Sequence, residues 1–198
     1  MSSLPSYKLD PVAAREVGVS KWITETGKYI GKIITAHAIV AATKSQGIQI
    51  VFESDTGQRA ERLQLWLADK NDKPLHGSKV LSAIMTCLRL RELKAEKGKV
   101  SEDPVFPALE GKRIGFLLEA EPYHAGNRVL TNMVLVAPFV ADTEQTAAEV
   151  LDGRSAGGLP AMVSRLRDRP LRERAGNAVP VVAGAPGAAP PVDDDIPF

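Results

Sequence analysis

The chain has 198 residues, 44% of them hydrophobic and 25% charged, with a formal net charge of +1. This suffices for one well-buried domain with appendages and excludes a fibrous repeat or wholesale disorder. No run approaches the roughly 20 apolar residues that cross a bilayer, the N-terminus lacks the basic-then-apolar layout of a secretion signal, and the lone Cys87 excludes an internal disulfide or a multi-cysteine zinc site. A cytoplasmic protein without a membrane partner is expected.

The small net charge hides an asymmetry. Residues 21–100 hold 14 Lys or Arg against 8 Asp or Glu, residues 101–150 hold 3 against 8, and the last six residues add three aspartates. A basic first half with an acidic tip suggests a body that binds a polyanion and a separate acidic ligand.

In chain order, "GKYIGKIITAHAIVAATK" (27–44) is rich in β-branched residues and lacks Pro, so it predicts a long first strand. Gly31 inside it predicts a bulge that switches the inward-facing parity. "IQIVFES" alternates on Ile48, Ile50 and Phe52, and "DTGQ" supplies a hairpin turn. "ERLQLWLAD" follows with Leu63, Leu65 and Leu67 on one face and Arg62, Gln64 and Trp66 on the other. Ser78 suits the N-cap of a helix over "KVLSAIMTCLRLREL", with an apolar stripe of Leu81, Ile84, Met85 and Leu88 and a buried Cys87. A polar loop over 94–107 precedes two strands, "GKRIGFLLEAE" and "NRVLTNMVLVAPF", joined by the loop "PYHAGN".

Three strands, a helix and two strands are the connectivity of the five-stranded Greek-key barrel called the OB fold. The predicted fold is therefore mainly β, with the barrel starting at about residue 27 of a domain spanning 1–140. Residues 141–175 form a basic accessory segment with short helices, one over "DTEQTAAEVLDG" with an N-cap at Asp142 or Thr143 and Gly153 at its end. Another helix is expected in "LPAMVSRLRDRPLRERAG", broken near Pro170, with Arg165, Arg167, Arg169, Arg172 and Arg174 exposed. Residues 176–198 form a disordered tether and acidic tail. Of residues 176–192, 12 of 17 are Ala, Gly or Pro, and such a tether spans on the order of 20 to 25 Å.

No recognisable catalytic motif is present, and His37, His76 and His124 fall in separate elements, so neither an enzyme nor a cofactor is expected. The aspartate triplet on a tether lacks the converging frame of a metal site. OB folds bind single strands on the outer face of strands 2 and 3 and in the adjoining loops, with cations on phosphates and aromatics under bases. The residues expected to bind nucleic acid are Lys28, Tyr29, Lys32, Lys44, Arg59, Arg62, Gln64, Trp66, Tyr123 and Arg128. Trp66 has no place in the barrel core and is the leading stacking residue, whereas Trp22 leans toward packing.

The ending "DDDIPF" after such a tether closely resembles the acidic tip of bacterial single-stranded DNA-binding proteins. The resemblance implies that Phe198 anchors in a partner's pocket, Ile196 and Pro197 support it, and Asp193, Asp194 and Asp195 meet basic residues on the partner. The body, over roughly residues 27–153, resembles the phage- or prophage-encoded proteins of this type. The expectation is a protein of the bacterial host cytoplasm or nucleoid that coats single-stranded DNA with little sequence preference, homo-oligomeric as a dimer, and recruits replication, recombination or repair proteins. A strand-annealing recombination mediator and an RNA- or protein-binding OB module are the alternatives.

Overall fold

The computed structural model describes residues 8–9, 20–98 and 103–172. The tether and acidic tip expected over 176–198 lie outside that range. Within it the chain is mainly β, with seven antiparallel strands in one open sheet and three short helices.

Strands β1 (Gly27–Val40), β2 (Gln46–Ser54) and β3 (Arg59–Ala68) form the expected meander. Alternation in β2 and β3 turns Ile48, Ile50, Phe52 and Leu63 fully inward. Burying each such side chain contributes about 1.5–3 kcal/mol.

The parity switch in β1 occurs at Ile34 rather than Gly31. Its register with β2 slips between Ile33 and Thr35, so that Ile33 and Ala36 are both fully buried. Gly31 meets a different need, since a Cβ there would stand 2.0 Å from the carbonyl oxygen of Glu53. Only a glycine lets the two backbones approach so closely.

The polar loop expected over 94–107 contains two further strands, β4 (Glu96–Lys97) and β5 (Pro104–Val105), and β5 meets β1 at His37. Seven strands thus replace the expected five, because strands of two residues carry no readable period. β6 (Arg113–Ala125) and β7 (Arg128–Phe139) form a long hairpin. Tyr123 and His124 lie in β6 itself, and the expected loop shrinks to a turn at Gly126 and Asn127. Gly126 takes the positive φ, 63°, that so tight a connection favours.

β1 joins the two halves by pairing with both β2 and β6, through Gly27–Lys32 on the β6 side. Among the described residues no ladder joins β3 to β7, so the sheet is open along that seam.

Helix α1 (His76–Cys87) follows β3 and buries Gly77, Val80, Ile84 and Cys87. It is rotated from the expected stripe of Leu81, Ile84, Met85 and Leu88. The cause is its start: Gly77 is pressed on β3, where a Cβ would stand 2.3 Å from the Trp66 carbonyl oxygen. The N-cap is Leu75 rather than Ser78, whose hydroxyl donates to the Leu75 carbonyl at 2.7 Å from within the first turn. Burial pushes the Cys87 thiol up to about 11.

The N-cap of α2 (Ala147–Leu151) is Thr146, not Asp142 or Thr143, because Thr146 and Glu149 complete a reciprocal capping box. Helix α3 (Leu159–Val163) ends well before Pro170. The chain beyond it runs beside β6, with the Arg169 and Arg172 amides donating to the carbonyls of Ala120 and Pro122 at 2.8 and 2.9 Å. Leu117, Phe139, Leu159 and Leu166 form a small second core on that side of the sheet, with Ile30 packed against it.

Candidate nucleic-acid interface

The outer surface of the meander is set by the register of its strands. Inward residues Ala36, Ile48, Ile50, Leu63 and Leu65 leave their neighbours on the opposite side. Across the sheet this gives one row of Ile39, Gly47 and Trp66 and a second of His37, Gln49 and Gln64. The Gln64 amide donates to the Gln49 side chain at 2.9 Å.

Trp66 is half-buried and leans over Gly47, where an added Cβ would meet its ring at 3.0 Å and the Ile39 side chain at 3.3 Å. The missing side chain at residue 47 is thus what lets the indole lie along the sheet. From Arg59 through Arg62 and Gln64 to Trp66 this edge of the sheet extends about 23 Å at the usual rise per residue.

The ten residues expected to contact nucleic acid do not all converge here. Arg62, Gln64 and Trp66 share β3, all half-buried, and Lys44 is exposed in the β1–β2 turn with a φ of 67°. Arg59 lies at the start of β3, its guanidinium 2.6 Å from the Glu53 carboxylate, and this arginine holds the Glu53 carboxyl below the ordinary carboxylate range. Lys32 stands 3.5 Å from the same carboxylate. Trp66, by contrast, pairs at Gly47, near the other end of β2.

Lys28 lies over the second core. Its ammonium is 2.6 Å from Glu144 and 5.9 Å from the Phe139 ring centroid. Tyr29 packs against the main core and donates its hydroxyl to the Glu25 carbonyl at 2.8 Å. Burial, then the nearby Glu25 charge, raises the Tyr29 pKa. Arg128 is exposed beside the β6–β7 turn, and Tyr123 is half-buried on β6, bridged to Arg172.

At the open seam a groove of about 270 Å³ separates the start of β3 from the middle of β7. Arg59 and Arg62 line it from β3, Leu130 and Met133 from β7 and Tyr123 from β6, and Trp22 also belongs to the lining. Sequence reasoning leaned toward packing for Trp22, yet it is 41% exposed while its neighbour Ile23 is buried in the core. Trp22 and Ile23 are adjacent apolar residues, and nothing local in the sequence tells which of the two turns inward.

The chain matches no protein-family model, and no curated protein matches it. Among the described residues no helix is long and apolar enough to cross a membrane, and no group of three His, Cys, Asp or Glu side chains is placed to hold a metal ion. His37, His76 and His124 stand in β1, at the first residue of α1 and in β6.

Proposed function

We propose that this protein binds single-stranded DNA with little sequence preference along the outer face of β2 and β3, on an OB-type barrel. The observation that carries the reading is Trp66, a half-buried indole held over Gly47 and beside Ile39, on the same face of the sheet as Gln49, Gln64 and Arg62. An aromatic ring in that position offers its surface to any base, while Arg59, Arg62 and Lys44 offer charge to the phosphates.

The topology supports an OB-type barrel through the pairing of β1 with both β2 and β6 across a bulge and through the helix after β3. Under this reading the protein is a binding protein rather than an enzyme, needs no cofactor, and resembles the single-stranded DNA-binding proteins of bacteria and their phages. Asp193, Asp194, Asp195, Ile196, Pro197 and Phe198, outside the described residues, then dock replication, recombination or repair proteins.

The test is the affinity of the full chain for a fluorescently labelled oligo-dT, read by anisotropy, with wild type beside Trp66→Ala. A stacked base contributes about 1–3 kcal/mol, so the variant is expected to bind roughly 5- to 150-fold more weakly. Equal affinity would remove Trp66 from the interface. Unlabelled duplex DNA, whose bases are already stacked and paired, is expected to compete poorly in the same assay.

A further inference from the structure

We infer that the seam groove between β3 and β7 receives a single base of the bound strand, with Trp22 as a second stacking platform. This rests on the single-strand reading above and adds a site to it.

Trp22 is presented rigidly. On one side the Ile23 amide donates to the Arg59 carbonyl at 2.8 Å, and on the other the Arg59 amide donates to the Lys21 carbonyl at 2.9 Å. Ile23 is anchored in the core with 3% exposure, so the backbone on either side of Trp22 is fixed while Trp22 itself stays 41% exposed. With its backbone already ordered, Trp22 adds no backbone-ordering cost when a base stacks on it.

The surroundings match one nucleotide. The groove's volume of about 270 Å³ lies just below the roughly 300–1,000 Å³ of pockets for drug-sized ligands. Leu130 and Met133 give it an apolar wall, and Thr131 and Asn132 add groups that can hydrogen-bond a base edge. Charge near the groove favours a phosphate: Arg59 and Arg62 belong to its lining, and the Lys21 ammonium lies over one face of the Trp22 ring, 5.2 Å from its centroid. Glu61 is the acidic member of the lining. The groove also continues the β3 edge, since Arg62 belongs both to its wall and to the strand that leads to Trp66. A strand crossing Trp66 and following β3 toward Arg59 arrives at Trp22.

Trp22 and Trp66 are the only tryptophans in the chain, which makes the test direct. Trp66→Phe keeps an aromatic ring on β3 and leaves Trp22 as the sole indole. The full-length variant is titrated with oligo-dT at concentrations where a labelled copy is shown by anisotropy to be bound. Quenching of the Trp22 emission is expected, and Trp22→Ala in the wild-type background is expected to lower affinity by roughly 5- to 150-fold with an unchanged melting curve. Binding by anisotropy with unaltered Trp22 emission would overturn the groove assignment and leave the β2–β3 reading standing. No oligo-dT binding by the wild-type chain would overturn both.

Discussion

Gly31, Glu53, Thr146 and Glu149 each carry a structural duty that a single substitution can expose. A methyl group at residue 31 collides with the backbone of β2, and β1 is the strand that both halves of the sheet share. Gly31→Ala is therefore expected to destabilise the protein by about 1–3 kcal/mol, seen as a lower urea midpoint with an unchanged slope. Thr146→Ala removes the reciprocal cap of α2 and is expected to cost about 1 kcal/mol in the same assay.

Glu53 and Glu149 set an acid limit. Arg59 holds the first carboxyl low, and backbone amides of Thr146 and Gly158 hold the second low. A carboxyl whose folded pKa is depressed contributes stability that is fully present above its unfolded value, near 4.5, and is lost as pH falls through the folded value. The urea midpoint should hold through neutral pH and drop below about pH 4.5, and Glu149→Gln should make that drop shallower. An unaltered acid limb in the variant would show that Glu149 is not one of its sources.

At the scale of elements, α1 separates what periodicity reveals from what packing decides. The helix and the burial of Ile84 and Cys87 were legible, but the burial of Gly77 and Val80 in place of Leu81 and Met85 was not, because the contact of Gly77 with the Trp66 backbone fixes the rotation and no local pattern announces a contact across the fold. Ile84→Ala is expected to cost about 2–5 kcal/mol, and Leu81→Ala clearly less. Equal losses would favour the stripe centred on Leu81 and Met85.

The same division runs through the sheet. β2 and β3 were readable from the strict alternation of Ile48, Ile50, Phe52, Leu63 and Leu65. β4 and β5 were not, since Glu96–Lys97 and Pro104–Val105 owe their pairing to β1 and to each other rather than to their own residues. At the candidate site, Trp66 could be placed from its parity alone. Lys28 and Tyr29 could not, because the second core above β1 and the burial of the tyrosine depend on segments far away in sequence.

On the scale of the whole molecule, the charge asymmetry gains a location. Arg59, Arg62, Lys21 and Lys44 lie around the β3 edge, its groove and the adjoining turn, and the acidic residues 193–195 follow in the same chain. As an outcome of the proposed function, removing residues 193–198 should tighten oligo-dT binding modestly at low salt and abolish partner recruitment. Identical low-salt affinity would show that the acidic residues do not compete for the groove.

The most direct measurement is a titration of the intact protein with oligo-dT, following intrinsic tryptophan emission at two salt concentrations. Single-strand coating through stacked indoles and phosphate contacts predicts quenching at both concentrations and an affinity that falls steeply as salt rises. Unchanged emission together with an affinity indifferent to salt would contradict it.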